Sequence, residues 1–180
     1  MKCHQEQNRS HACRAYVIFA TILVAPLAPS LVVADVVAEH GNIVYISPAG
    51  TRVALTTSQH DHGPVLSPDS RTVAFIRSYR PPEDDSGHGY TNCSVWVVDV
   101  EDKRLQRIVD GQYSHDPNEF LCDLHNLHFS PDGKRLYFHS LPCATESAVH
   151  VIDVLTKKRH YVISGSLVQV VPKGQYANHL

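Results

Sequence analysis

The sequence has little net charge and no apolar run long enough to suggest a membrane helix. Its 180 residues carry a formal net charge of −2 at pH 7, so it lacks the basic surface typical of nucleic-acid binding. The apolar run near the N terminus, residues 15–25, covers eleven residues, whereas a bilayer-spanning helix needs about 20. We therefore predict no nucleic-acid partner and no stable membrane span.

The sequence also lacks the short motifs that mark common catalytic and cofactor sites. It contains no Gly-x-Ser-x-Gly nucleophile elbow, no His-Glu-x-x-His, no Gly-rich phosphate loop and no Cys-x-x-Cys. We predict neither a cofactor nor catalysis by this chain. Thirteen histidines are present, and they would add positive charge near pH 6.

The first 34 residues have the pattern of an export signal. Basic residues precede the apolar run at Lys2, Arg9 and Arg14. Pro26 and Pro29 end the run, and small or modest side chains lead up to Ala34. We predict cleavage after Ala34 and a periplasmic or secreted location for residues 35–180. An uncleaved anchor helix and a cytosolic chain are the alternatives.

Residues 126–140 predict a β-hairpin around a Ser-Pro-Asp-Gly turn that begins at Ser130. Pro131 presets φ at the first central position, Asp132 can accept bonds from nearby backbone N–H groups, and Gly133 takes a positive φ without strain. An earlier copy of the turn has Ser67, Pro68 and Asp69, with Ser70 in place of the glycine, and a weaker copy spans residues 171–174.

A second pattern follows the hairpins, in which a strand rich in β-branched residues leads through a polar turn to another strand. Its three copies begin at Ile43, Val95 and Val149. The turn prolines Pro68, Pro131 and Pro172 lie 63 and 41 residues apart, and two loop insertions account for the difference. The base period is therefore 41 residues, the size of a four-stranded propeller blade.

The Ser-Pro-Asp-Gly hairpin followed by Val-x-Val-Ile-Asp-Val resembles the WD40-like (PD40) repeats of TolB-type β-propellers. The resemblance runs from about Asn42 to Gly174. It implies an all-β fold, a partial β-propeller of four-stranded antiparallel blades. It also implies protein partners at the cell envelope.

The repeats predict about two and a half blades within residues 35–180. Full blades are expected at about residues 64–111 and 126–165, with partial blades at 42–57 and 167–180. The first partial blade is expected to supply only the two outer strands of its sheet. Two and a half blades are too few to close a ring. The chain is therefore either a fragment of a longer protein or a unit that self-associates.

After signal removal three cysteines remain, Cys93, Cys122 and Cys143. An exported protein meets an oxidising compartment, where pairing is favoured. Cys122 precedes the first strand of the 126–140 hairpin and Cys143 follows the second, so we predict a Cys122–Cys143 disulfide with Cys93 free. The alternative is three unpaired thiols.

His62 and His125 occupy the same repeat position, five residues before each turn serine, where the innermost strand would enter its blade. One hypothesis is a metal or anionic ligand at the mouth of the propeller channel. The alternative is that these polar side chains line a wet channel. His125 and His128 are three residues apart and would point to opposite faces of a regular strand, which argues against a metal site from that pair.

The sequence thus predicts an exported, TolB-like propeller segment that binds or scaffolds other envelope proteins without catalysis of its own. The inserted loop from Tyr79 to Cys93 is either a partner-binding loop or a solvated one. The alternative function is a ligand- or metal-binding propeller, with or without catalysis, that uses His62 and His125.

Overall fold

The structure is a computed structural model that describes residues 33–79, 92–116, 118–143 and 146–165. These residues belong to one compact unit, Val32–Leu180. Most of the predicted export signal, the loop residues 80–91 and the predicted partial blade 167–180 lie outside the described residues. Within the described ranges no helix has the length and apolar character needed to cross a bilayer.

In the described residues, eleven strands make three antiparallel sheets, each with its strands paired in chain order. The strands are β1 (Asp35–Glu39), β2 (Asn42–Ile46), β3 (Arg52–Ala54), β4 (Asp61–Leu66), β5 (Thr72–Tyr79), β6 (Asn92–Asp99), β7 (Leu105–Val109), β8 (His125–Phe129), β9 (Arg135–Cys143), β10 (Glu146–Asp153) and β11 (Arg159–Ser164). We name them the N-terminal sheet (β1–β3), the first blade (β4–β7) and the second blade (β8–β11). The predicted all-β partial propeller is confirmed.

The N-terminal sheet corrects one prediction, because it has three strands rather than a two-stranded hairpin. β1 pairs with β2 along its whole length, from Asp35 opposite Ile46 to Glu39 opposite Asn42. A two-residue turn joins the strands, and both His40 and Gly41 have a positive φ, as this type of turn requires. Among the described residues, this sheet therefore lacks one strand of a blade, not two.

The two Ser-Pro-Asp turns have the same hydrogen bonds. In the second blade, Ser130 Oγ donates to Asp132 Oδ1 (2.6 Å) and accepts from the Arg135 N–H (2.9 Å). In the first blade, Ser67 Oγ donates to Asp69 Oδ1 (2.6 Å) and accepts from the Thr72 N–H (2.9 Å). The serine thus closes each turn against the strand that follows it.

Strand β5 is buried on both faces, because the first blade lies between the other two sheets. Val73 and Phe75 pack towards the N-terminal sheet, and Ala74 and Ile76 pack towards the second blade. All four are at most 2% exposed. Full burial of each large side chain stabilises the fold by about 1.5–3 kcal/mol, so the two interfaces depend on this strand.

Candidate functional site

An open cleft of about 490 Å³ lies between the first and second blades, at the end of the sheets that carries the turns. Within each blade, two turns are joined at this end by a backbone hydrogen bond. In the first blade the Val100 N–H donates to the Arg71 carbonyl (2.9 Å), and in the second the Val154 N–H donates to the Lys134 carbonyl (2.9 Å). We call it the interblade cleft. Its lining includes four charged residues, Asp99, Arg104, Lys134 and Asp153, and the exposed Leu155.

The two carboxylates of the interblade cleft are fixed by their own turns. Asp99 accepts the backbone N–H groups of Asp102 and Glu101, which hold its pKa below the usual value. Asp153 is bonded in the same way by Thr156 and Leu155, with the same effect on its pKa. Both carboxylates therefore stay ionised and oriented.

Leu155 is the apolar element of the interblade cleft. It stands at the tip of the turn after β10 and is 89% exposed, the highest exposure of any large hydrophobic residue that the structure describes. The cationic groups of Arg104 and Lys134 lie in the same lining. The interblade cleft thus presents an exposed aliphatic side chain among charges of both signs, of which the two carboxylates, Asp99 and Asp153, are held by backbone hydrogen bonds.

His62 lies on β4 and makes its contact within the first blade. Its Nε2 is 2.6 Å from Ser78 Oγ on β5. Loss of water around the ring lowers the pKa of His62, and the neighbouring Asp61 carboxylate offsets part of that effect. The ring is therefore neutral at physiological pH and is engaged by the hydroxyl beside it.

Asp61, next to His62, is fully buried and forms an ion pair with Arg77. Arg77 Nε donates to Oδ1 (2.6 Å) and Nη2 to Oδ2 (3.0 Å). Burial acts to raise the pKa of Asp61, but hydrogen bonds from Arg77, Thr56 and Ser58 outweigh it and hold the pKa below its usual value. The guanidinium also lies 4.7 Å from the Trp96 ring centroid, a cation–π contact.

His125 lies at the equivalent position of β8, opposite His139 as His62 is opposite Ile76. Its Nδ1 is 2.7 Å from the Asp123 carbonyl oxygen, and its ring centroid is 5.3 Å from that of His139. The contacts of His62 and His125 thus lie in separate blades, and the proposed joint site of the two rings stays a prediction. No group of three or more His, Cys, Asp and Glu among the described residues is arranged to hold a metal.

The predicted orientation of His125 and His128 is wrong. The pairing of β8 with β9 shifts register between them, so His125 faces His139 and His128 faces Tyr137. His139 and Tyr137 are two apart on β9 and share a face, so His125 and His128 share it too. The cause is an extra residue, Asn126, with φ +52°, at the position where the first blade has Gly63 with φ +57°.

His139 and its neighbours form a histidine-rich face on the second blade. His139 is buried, and its Nδ1 has no hydrogen-bond partner in the part of the chain that the structure describes. Burial lowers its pKa, and His125 and His128 lower it further. This set was missed because its members come together only through the irregular strand.

A buried polar chain in the second blade was also missed from the sequence. His150 Nε2 is 3.0 Å from Ser140 Oγ, and its Nδ1 is 3.2 Å from Arg159 Nη1. A guanidinium can only donate, so Nδ1 accepts and Nε2 carries the proton towards the serine. The ring therefore cannot remove a proton from Ser140, and this pair is not a nucleophile with its base.

Arg159 joins this chain to the segment between the blades. Its Nη2 pairs with the Glu119 carboxylate (2.6 Å) and its Nη1 donates to the Asn118 carbonyl (2.9 Å). Burial, Arg159 and His139 lower the pKa of His150 to about 4. The chain thus links a neutral, fully buried pair, Ser140 and His150, to a partly exposed ion pair, Arg159 and Glu119.

The predicted Cys122–Cys143 disulfide stays a prediction, because the structure describes only one of the two side chains. Cys122 is a free, buried thiol directed at the Gln112 carbonyl oxygen, 3.5 Å away. The side chain of Cys143 lies outside the described residues. Cys93 is also a free, buried thiol, and the Leu124 N–H donates to its sulfur (3.1 Å).

Comparison of the sequence with protein-family models and with curated proteins gave no match. Solved structures do match. Dipeptidyl peptidase 4 from Porphyromonas gingivalis has a TM-score of 0.50 at 15% identity, over 70% of this chain and 23% of that chain. TolB from Acinetobacter baumannii has a TM-score of 0.44 at 19% identity, over 67% and 29%.

The β-propeller domain of the Trilobed protease from Pyrococcus furiosus, described as having an open velcro topology, has a TM-score of 0.44 at 16% identity, over 69% of this chain and 33% of that chain. The chain spans about a quarter to a third of the length of these three structures. At such low identity the likeness concerns the fold alone, and it agrees with the strand order of the two blades.

Proposed function

We propose that this chain is an exported propeller segment that binds other proteins of the cell envelope through the interblade cleft. The observation that carries the proposal is Leu155, an aliphatic side chain 89% exposed beside an open cleft of about 490 Å³. In protein interfaces a few side chains that become fully buried inside a polar rim contribute most of the affinity. The fixed carboxylates of Asp99 and Asp153 would orient the bound segment.

The binding test uses the full chain as bait in an envelope extract, with captured proteins quantified by mass spectrometry. Burying Leu155 in a partner contributes about 1.5–3 kcal/mol, so Leu155→Asp should reduce capture about tenfold or more. Ile163→Asp is the matched control, because Ile163 is 56% exposed on β11 and does not line the cleft. Equal capture by all three proteins, or capture of nothing, contradicts the proposal.

Export is a separate part of the proposal, and it is tested by the intact mass of the native product. We expect a chain that begins at Asp35, because β1 starts at that residue and follows the predicted cleavage site directly. A cytosolic product that keeps Met1 contradicts export. A mass well above that of residues 35–180 would place the cleft within a longer propeller.

A ligand or metal site at His125 is the second candidate, and the observation that favours it is the unpartnered Nδ1 of the adjacent buried His139. Imidazole nitrogens are common ligands of zinc, copper and nickel. The test compares the metal content of the purified protein with that of the His62→Ala, His125→Ala double variant. Unchanged content contradicts the metal version of this function.

A further inference from the structure

Two buried thiols lie where the first blade meets the segment that leads into the second. Cys93 is near the start of β6 and is 4% exposed, and Cys122 is three residues before β8 and is 7% exposed. Cys93 belongs to the apolar cluster between the blades, together with Leu121 and Leu124. The two thiols are thus carried by different parts of the fold that pack on the same cluster.

The backbone holds the Cys122 segment against Cys93. The Leu124 N–H donates to Cys93 Sγ at 3.1 Å, and Cys122 is two residues away, at most about 7 Å along the chain. Asp123, between them, has φ +49°, which bends the chain and shortens that span. Backbone bonds between Gln112 and Leu121 (3.1 and 2.7 Å) fix the segment from its other side.

We propose that Cys93 and Cys122 form a disulfide that joins β6 of the first blade to the entry of the second when the protein meets a disulfide oxidant. The reaction with glutathione disulfide is balanced. Both S–H bonds break, one sulfur–sulfur bond forms in the protein, and the oxidant's own bond is reduced to give two glutathione molecules. The proposal does not depend on binding at the interblade cleft, and it gives Cys122 a partner other than Cys143.

Burial makes this reaction slow in the folded protein. It raises the pKa of Cys93, and burial together with the nearby Cys93 raises the pKa of Cys122 from 9.0 to about 11. The thiolate is the attacking species, so at neutral pH its population at Cys122 is about a hundredfold lower than that of a thiol with a pKa of 9.0. We therefore expect the bond to form mainly during folding, before the segment closes over the cluster.

The experiment refolds the full chain from denaturant in a mixture of reduced and oxidised glutathione, alkylates the remaining thiols and maps the peptides without reduction. We expect a linked peptide that contains Cys93 and Cys122, lighter by two hydrogen atoms than its reduced components. The same mixture added to the folded, reduced protein should give this peptide at least about tenfold more slowly, because the higher intrinsic reactivity of the thiolate offsets only part of its lower population.

Two variants make the outcome decisive. Cys143→Ser should keep the Cys93–Cys122 peptide, and Cys93→Ser should leave Cys122 alkylated. A link between Cys122 and Cys143, glutathione bound to Cys122, or alkylation of both Cys93 and Cys122 in the refolded wild-type protein would each overturn the proposal. The wild-type map decides the question even if Cys93→Ser fails to fold.

Discussion

The two blades place different chemistry at equivalent positions of nearly the same backbone. In the first blade, Arg77 pairs with the buried Asp61 and lies over Trp96. The strand pairing of the second blade puts Leu124 at the position of Asp61. It puts Ser140 at the position of Arg77, and His150 at that of Trp96. An ion pair is therefore matched by a neutral hydrogen bond between a hydroxyl and an imidazole.

Both arrangements have the same structural result. Through its hydrogen bonds with Thr56 and Ser58, Asp61 fastens the segment that enters the first blade. In the second blade Arg159, held against His150, fastens the preceding segment through Glu119 and Asn118. The polar groups of each blade therefore act as a set, so exchanging one member alone should cost more stability than exchanging the set.

The largest expected effect is that of Arg77→Ser, which copies one residue of the second blade into the first. It leaves the carboxylate of Asp61 buried without its cation, so we expect the free energy of unfolding to fall by about 3–5 kcal/mol. Urea unfolding followed by circular dichroism and by the fluorescence of Trp96, the single tryptophan, measures this.

The double variant Asp61→Leu, Arg77→Ser completes the exchange, because it reproduces Leu124 and Ser140. We expect it to recover at least about 1 kcal/mol relative to Arg77→Ser, since no unpaired charge remains. A double variant no more stable than Arg77→Ser would mean that the residues act independently.

The second prediction separates the contributions of His150 and Asp61 by pH. The pKa of His150 is about 4 in the folded protein, below its ordinary value of 6.5, so between these values only the unfolded chain gains the proton. The contribution of His150 is complete above pH 6.5 and falls by about 3 kcal/mol as the pH drops to about 4. Asp61 is ionised in the folded protein and its pKa is lowered. Its contribution to stability is therefore retained at these pH values and is lost only as the pH falls below 3.8.

Unfolding free energies measured from pH 7.5 to pH 4.5 test this separation. His150→Gln should reduce the pH dependence in that range, because glutamine cannot take up a proton, while His62 and His139, whose pKa values are also lowered, keep part of it. An identical slope for the wild-type protein and His150→Gln would remove His150 as its source.

The smallest effect concerns the two Ser-Pro-Asp turns. Ser70 has φ +60° where the second blade has Gly133 with φ +71°, and an L side chain is strained in this region. Ser70→Gly should raise the free energy of unfolding and Gly133→Ser should lower it, each by about 0.5–1 kcal/mol. A Cβ at Gly133 would meet only Pro68 at an ordinary 3.6 Å, so a much larger loss would point to a cause other than φ.

Features with local determinants could be predicted from the sequence. The Ser67 and Ser130 turns depend on residues within a few positions of each other, and the repeat length identified four-stranded sheets. β1 was missed because His40-Gly41 is a weaker hairpin signal than Asn-Gly or Asp-Gly. A comparison of Asn126 with Gly63 could have revealed the irregular strand.

Features with distant determinants could not be predicted. Arg159 meets a partner 40 residues away, and Cys93 meets the Leu124 N–H 31 residues away. No spacing rule relates such residues before the blades are packed together. The interblade cleft has the same origin, since its lining comes from turns of two separate sheets.

The pairing of every strand with its chain neighbour has a consequence for biogenesis. Each sheet can assemble from contacts between consecutive strands, which need little loop closure and therefore form quickly. This topology lets the N-terminal sheet, the first blade and the second blade each condense in turn during synthesis, before the rest of the polypeptide is available.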